Sequence, residues 1–396
     1  MISLLNTMLG RFVQVGTLVL IDAAGRELRH QGSEGPSVTV RLTDPALYRA
    51  LFLNPELRAG EAYTDGTLVI EHGSIRDLLM IFALNRKNLR RQPLQKVLRK
   101  AYKKVRGLHQ RNTLSRARAN VAHHYDLSNE LYQLFLDHGL NYSCAYFTDA
   151  DQSLEDAQAA KLRHIAAKLA LEPGQRVLDI GCGWGAMAFQ PAETADVEVL
   201  GVTLSTEQHA LATARAREHG LADRVRFELM DYRDVAGSFD RIVSIGMFEH
   251  VGVAHYPAFF AKADELLKDD GVALIHAIGR LGGPGATSAW LRKYIFPGAY
   301  APALSEVTGA VEPSGLVITD VEILRRHYAE TLLQWERRFQ ANRDKIAELL
   351  DERFCRMWEF YLISCEAGFR YGKQMVFQMQ LAKAADTLPI TRDYMG

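Results

Sequence analysis

The run Val177-Leu178-Asp179-Ile180-Gly181-Cys182-Gly183-Trp184-Gly185 sets three glycines at alternate positions directly after an apolar stretch. Glycine there removes each Cβ that would hold a ligand off the backbone, and a helix opening behind the loop offers unpaired N–H groups at its start. A ligand carboxylate or phosphate fits such a place; an ordinary tight turn is the plain alternative. A dinucleotide fold needs an acidic residue roughly 20 positions on. Here the next apolar run, Val197-Glu198-Val199-Leu200-Gly201-Val202-Thr203-Leu204-Ser205, ends in Thr203 and Ser205. That disfavours a nicotinamide cofactor. The loop also lacks the Gly-Lys-Ser/Thr ending of a nucleotide phosphate loop. An S-adenosylmethionine site is the reading that remains.

A second group of residues could move protons. Ser244-Ile245-Gly246-Met247-Phe248-Glu249-His250 puts a carboxylate beside an imidazole, and Ala273-Leu274-Ile275-His276 ends an apolar run in another imidazole. Either could equally be a buried, hydrogen-bonded structural residue, so position must decide. From Leu171 onward the pattern alternates strands and helices. Strands are expected over Arg176 to Ile180, Val197 to Thr203, Arg224 to Met230, Arg241 to Ile245 and Val272 to Ile278. Helices are expected over Ser205 to His219 and Tyr256 to Leu267, with a turn at Asp269-Asp270-Gly271. This is an α/β, doubly wound parallel sheet, whose ligands lie beyond the carboxyl ends of the strands. Those ends carry Gly181 to Gly185, Thr203, Asp231, Gly246 to Glu249 and His276 to Gly279.

With 396 residues, 48% of them hydrophobic, the chain is long enough for two domains. Lys+Arg and Asp+Glu each total 47, so bulk charge points to no polyanionic partner. Locally the balance fails: Leu78 to Tyr125 contains no acidic residue, while Arg86, Lys87, Arg90, Arg91, Lys96, Arg99, Lys100, Lys103, Lys104, Arg106, Arg111, Arg116 and Arg118 accumulate. Leu94, Val97, Leu98, Ala101, Tyr102 and Val105 recur at three and four, which predicts an amphipathic helix with a basic face. An anionic membrane surface fits that face, at roughly 1 kcal/mol per cation; a solvated linker is the alternative. Nucleic acid ranks last, for want of a recognition motif. Cys144, Cys182, Cys355 and Cys365 form no Cys-x-x-Cys pair and no metal-ligand spacing, so free thiols, no metal and a reducing compartment are expected. The run Phe12 to Ile21 is too short to span a bilayer and no cleavage-type segment follows it, which predicts a cytoplasmic protein. Residues 1–85 read as a separate module, with a short helical start, a strand pair around Thr17 to Ile21 and Ser37 to Leu42, and helix starts at Asp44-Pro45 and Asn54-Pro55. Residues 86–120 read as a basic linker and 121–396 as the main domain.

From about Asn120 to the C-terminus the chain resembles the cyclopropane fatty acid synthase family in co-linear order. The motifs are Val121-Ala122-His123-His124-Tyr125-Asp126, Tyr142-Ser143-Cys144-Ala145-Tyr146-Phe147, the glycine loop, Gly201-Val202-Thr203-Leu204-Ser205-Thr206-Glu207-Gln208, Asp231-Tyr232-Arg233-Asp234, Met247-Phe248-Glu249-His250-Val251-Gly252 and Lys293-Tyr294-Ile295-Phe296-Pro297. The added N-terminal module is similar to that of the bacterial phospholipid-modifying branch. The resemblance implies a mostly parallel, Rossmann-like methyltransferase sheet with a small, mainly helical N-terminal domain that engages lipid. It implies S-adenosylmethionine held by Tyr142, Ser143, Asp179, Gly181, Gly183, Gly185, Thr203, Gln208, Asp231 and Tyr232. It further implies a homodimer working on phospholipids at an anionic bilayer, peripheral on the inner face of the cell membrane.

The implied reaction methylates the cis double bond of an unsaturated acyl chain and closes a cyclopropane ring after a methyl proton is lost; a methyl-branched or methylene product is the alternative. A lipid-binding protein with a relic cofactor fold is the reading from another class. By the resemblance the base is a bound bicarbonate held by Glu249, His276, Tyr328 and backbone groups near Cys144 and Ile278. Cys365 stands where the family often marks an active-site cysteine, although methylating an alkene needs no covalent enzyme intermediate. Tyr142, Phe248, Tyr294, Phe296 and Tyr328 are candidates for stabilising a cation through their ring faces. The C-terminal segments Thr331 to Phe339 and Phe354 to Phe369 read as helices with wide apolar stripes, placed to line an acyl channel or simply to cover the sheet. Gly282-Gly283-Pro284-Gly285 reads as a mobile loop or lid.

Overall fold

Asn85 shows why the N-terminal module does not end at residue 85. Its side-chain oxygen accepts the Gln14 and Val15 N–H groups at 2.8 and 3.0 Å, and its amide donates to the carbonyls of Val15 and Ile81. This residue lies inside the helix Ile75–Arg91, whose buried side carries Leu78, Ile81, Asn85 and Leu89. The computed structural model of the chain describes residues 1–91 and 128–395. The amphipathic helix over Leu94 to Val105, most of the basic linker and the Val121 to Asp126 motif lie outside the described residues.

Two compact units emerge, divided differently from the sequence boundaries. The first holds residues 1–91, Ala286–Pro297 and Leu332–Lys373; the second holds residues 128–285, Gly298–Thr331 and 374–395. The stretch 121–396 is therefore not one continuous domain, because two of its segments pack with the N-terminal module.

In the first unit β1 (Val15–Ile21), β2 (Glu27–Gln31), β3 (Ser33–Leu42) and β4 (Leu68–His72) form a sheet in the order β2-β1-β3-β4. β1 and β3 are the expected pair and run parallel. Asn54 caps the helix Pro55–Thr64 by accepting the Leu57 N–H, with Pro55 at the first helical position as expected. At the other start the cap moves one residue on, to Pro45, and the Asp44 carboxylate accepts the Ala46 N–H at 2.8 Å. The helix Glu352–Arg370 belongs to this unit, and there Glu366 pairs with Arg76 while Glu359 accepts the Tyr63 hydroxyl at 2.7 Å.

The second unit is built on β5 (Arg176–Ile180), β6 (Glu198–Thr203), β7 (Val225–Leu229), β8 (Phe239–Ile245), β9 (Leu267–Arg280), β10 (Val317–Ile323) and β11 (Gln374–Ala382). Their order is β10-β11-β9-β8-β5-β6-β7. β7 through β9 run parallel in that sheet, while β11 and β10 continue it antiparallel. Chain order reverses between β5 and β8, which opens a crevice at their carboxyl ends. The core strands are apolar on both faces: Leu178, Ile242, Leu274 and Phe377 are each fully buried, and each contributes roughly 1.5–3 kcal/mol. The turn expected at Asp269-Asp270-Gly271 is absent. β9 already pairs with β8 at Leu267, and the extra residues form a bulge before pairing resumes at Val272.

Candidate active site

A cavity of about 190 Å³ opens at the carboxyl ends of the parallel strands. Nine of the ten expected cofactor residues line it, the exception being Gly185. Gly181, Gly183 and Gly185 all have positive φ, of 82°, 55° and 90°. At Gly183 a Cβ would meet nothing within 4 Å, so bare backbone faces open space; at Gly185 it would strike the rings of Phe227 and Phe189. Gly183 thus leaves room for a ligand, whereas Gly185 is needed for the turn into the helix Ala186–Thr194. Arg215 clamps the loop, donating to the carbonyls of Gly139 and Trp184.

Around the rim, Thr203 donates its hydroxyl to the Gln208 side-chain oxygen at 3.0 Å, which leaves the amide NH2 as the donor of the pair. Asp231 is buried, with both oxygens engaged by the Arg233 guanidinium at 2.7 and 2.8 Å. Asp179 is buried with Oδ2 unpartnered among the described residues, and burial pushes its carboxyl up to about 7. Lys161 lines the same wall, and its ammonium donates to Asn141 Oδ1 at 2.7 Å and Ser143 Oγ at 3.2 Å. Burial brings it down to about 8. An open backbone cradle at Gly183, an orphaned carboxylate oxygen and neutral hydrogen-bonding groups fit a nucleoside sulfonium with an amino-acid tail, such as S-adenosylmethionine.

Glu249 follows the cavity-lining Gly246 and Met247. Its Oε1 accepts the Ile278 N–H at 2.7 Å, and its Oε2 is buried with no partner among the described residues. Burial pushes this carboxyl up to about 7. The Ile278 N–H is therefore already spent on Glu249 and is no donor to a bound ion. His276 is 2% exposed, and burial, reinforced by Lys161 and Lys168, lowers its imidazole to about 3. Tyr328 is buried at the start of the helix His327–Ala341. That start is tied to the Cys144 segment, because Ala145 N–H donates to Thr331 Oγ1 at 3.0 Å and Phe147 N–H to His327 Nδ1 at 2.9 Å. The Cys144 thiol is buried and burial raises it strongly.

The remaining candidates belong to the core of the second unit or to the first unit. Phe248 is fully buried, stacked on Tyr256 and packed edge-on to Phe259, so it belongs to the core. Tyr294 and Phe296 lie in the first unit, where Tyr294 donates to Glu61 and Phe296 packs on Tyr361. Cys365 also lies in the first unit, while Glu249, His276, Tyr328, Cys144 and Ile278 lie in the second. Its buried thiol is pushed up to about 12, the environment of a small apolar side chain, where thiolate is scarce near neutrality. All four cysteines are free. Sequence reasoning missed Lys161, Lys168 and Gln378. In the helix Leu154–Leu169, the positions of Lys161, His164 and Lys168 recur at three and four on one stripe, a signal that reads as a solvated face until the stripe proves buried.

A family model described as mycolic acid cyclopropane synthetase matches residues 112–379. The chain belongs to that family. It is 38% identical over 352 residues to the cyclopropane-fatty-acyl-phospholipid synthase of Escherichia coli, covering 88% of each chain. It is 42% identical over 282 residues to the tuberculostearic acid methyltransferase UfaA1 of Mycobacterium tuberculosis, covering 67% of this chain and 65% of the other. Among solved structures, mycolic acid cyclopropane synthase CmaA1 complexed with SAH and CTAB superposes with a TM-score of 0.63 at 37% identity, over 67% of this chain and 97% of that one. The protein is an S-adenosylmethionine-dependent methyltransferase of lipid cyclopropane or methyl transfer. No described helix is long and apolar enough to cross a membrane.

Proposed function

We propose that the protein converts cis-unsaturated acyl chains of membrane phospholipids to cyclopropane chains. The observation that carries this reading is Glu249, a buried carboxylate with one oxygen anchored by Ile278 and the other unpartnered among the described residues, beside the cavity-lining loop. An alkene is a weak nucleophile, so the site must align it with the sulfonium methyl and exclude water from the resulting carbocation. A group beside the reacting carbons must then accept a proton from the new methyl. Glu249, half-protonated near neutrality, and neutral His276 would hold a small oxyanion, bicarbonate by family resemblance, with Tyr328 closing the set. When bound, that ion supplies the proton acceptor. Glu249 and His276 would present buried polar atoms to that ion, while Asp179 and Lys161 line the cofactor cavity.

The E. coli relative is named for a phospholipid substrate, and its match covers 88% of this chain and so reaches into the N-terminal module, which supports phospholipid in a bilayer over a carrier-bound chain. Arg86 and Lys87 begin the basic stretch that would hold the enzyme peripherally on an anionic inner membrane face, as a homodimer. The second reading, a methyl-branched or methylene product, draws on the likeness to the tuberculostearic acid methyltransferase. Incubating the protein with methyl-labelled cofactor and vesicles of unsaturated anionic phospholipid, then identifying the acyl product by mass spectrometry, tests both. A cyclopropane chain supports the first reading, a branched or methylene chain the second, and absence of lipid label overturns both.

A further inference from the structure

His276, Gln378 and Glu322 stand in one row across three neighbouring strands. The register pairs His276 of β9 with Gln378 of β11, and Gln378 with Glu322 of β10. Directly opposed residues present their side chains to the same face of a sheet. Lys168, at the end of the helix Leu154–Leu169, meets this row: its ammonium donates to Gln378 Oε1 at 2.8 Å and pairs with the Glu322 carboxylate. Glu322 also bonds His164 Nε2 at 2.7 Å. On the other side of the amide, Gln378 Nε2 lies 3.2 Å from His276 Nδ1. Lys168, Gln378 and His276 are each no more than 2% exposed.

The chemistry of these groups leaves one arrangement. An ammonium has donors and no acceptor, so the amide of Gln378 must turn its oxygen to Lys168 and its NH2 to His276. A flipped amide would set NH2 against NH3⁺ in a buried place, losing a hydrogen bond and adding a repulsion. The Gln378 NH2 is a donor, so His276 Nδ1 must be an acceptor without a proton. In the neutral ring the proton then rests on Nε2, the nitrogen that has no partner among the described residues.

We propose that Lys168 and Gln378 are positioning residues that fix His276 as the Nε2–H tautomer, so that its free nitrogen is a hydrogen-bond donor and not a base. Resting on the reading of His276 as part of the reacting site, this assigns the occupant beside Nε2 an acceptor oxygen, an oxyanion or a carbonyl. It also removes His276 as the group that takes the methyl proton, since neither ring nitrogen has a free lone pair. Glu322 serves to hold the Lys168 ammonium in place against the amide.

The test reads the ring directly. The full chain, labelled with ¹⁵N-histidine, is assigned by difference against His276→Asn, and its long-range ¹H–¹⁵N correlations are recorded in mildly alkaline buffer without substrate. A bare Nδ1 and a protonated Nε2 are expected. Gln378→Glu keeps the shape and still accepts from Lys168, yet accepts where the glutamine donated, and should move the proton to Nδ1. Lys168→Met should let the amide flip and produce a mixture, while Lys168→Arg, still a donor, should restore the Nε2–H form. Methyl transfer by Gln378→Glu should fall by roughly 100-fold or more with cofactor affinity unchanged. A protonated Nδ1 in the unsubstituted protein overturns the assignment, as does a bare Nδ1 retained in Gln378→Glu; full turnover with the flipped tautomer overturns the donor role. Absence of lipid methylation by the unsubstituted protein would count against the proposed function alone, because the nitrogen shifts are read without lipid.

Discussion

Glu249 Oε1 accepts the Ile278 N–H at 2.7 Å, which anchors a buried carboxylate from the loop after β8 to the neighbouring strand β9. One oxygen is fixed and the other is left for chemistry. Glu249→Gln keeps the anchoring oxygen and the shape but cannot exchange a proton. Methyl transfer should fall by roughly 100- to 10,000-fold, with affinity for S-adenosylmethionine, measured by calorimetry, nearly unchanged. Equal losses in turnover and cofactor affinity would remove Glu249 from the reaction.

Stability should respond to pH in opposite senses from two sets of buried groups. Glu249 and Asp179 are raised to about 7 from ordinary values of 4.5 and 3.8. The unfolded chain ionises first, so their contribution is complete below about pH 4 and is lost as pH rises to about 7. His276 and His250 are lowered from 6.5 to about 3 and about 4, so their contribution is complete above pH 6.5 and is lost as pH falls toward those values. Each pKa unit corresponds to about 1.4 kcal/mol. Glu249→Gln should therefore gain melting temperature relative to the unsubstituted protein above neutrality, an advantage that vanishes in acid. Parallel melting curves across pH would contradict the burial of that charge.

The site was legible in the sequence where backbone geometry dictates residue type. Three glycines after an apolar strand could hardly mean anything but a tight loop, and Ser205 ahead of the helix Thr206–Glu218 caps it by accepting the Gln208 N–H. What escaped was polarity inside the core. β11 reads Gln-Met-Val-Phe-Gln-Met-Gln-Leu-Ala, and its glutamines break the apolar run that marks a buried strand. Gln378 and Gln380 are nevertheless 1% exposed, because Lys168, its backbone carbonyl, His276 and Tyr394 supply their hydrogen bonds. The segments that join the N-terminal unit escaped for another reason: packing partners far apart in sequence leave no periodic trace.

Two glycines of one loop should fail differently. Gly183→Ala places a methyl group into open space at φ 55°, so strain of roughly 1–2 kcal/mol is the whole folding cost, while cofactor affinity should drop tenfold or more, about 1.4 kcal/mol. Gly185→Ala adds collision with Phe227 and Phe189 at 2.7 and 2.8 Å to a φ of 90°. Its cost should reach about 2–5 kcal/mol, read as a lower denaturation midpoint. Equal stability of the two variants would refute the division between a ligand-facing glycine and a turn-forming one.

Cys365 tests whether any covalent chemistry operates. The residue is 9% exposed in the helix Glu352–Arg370, which also buries Tyr361, Leu362 and Phe369, and its thiol is raised to about 12 by burial. A thiolate is scarce there at neutral pH, so iodoacetamide should modify the folded protein slowly and the unfolded protein fast. Cys365→Ala should lose about 1 kcal/mol of stability through the small void it leaves, and should retain turnover within about twofold once folded fraction is accounted for. A variant that folds and binds cofactor normally yet transfers no methyl group would restore the sulfur to the reaction.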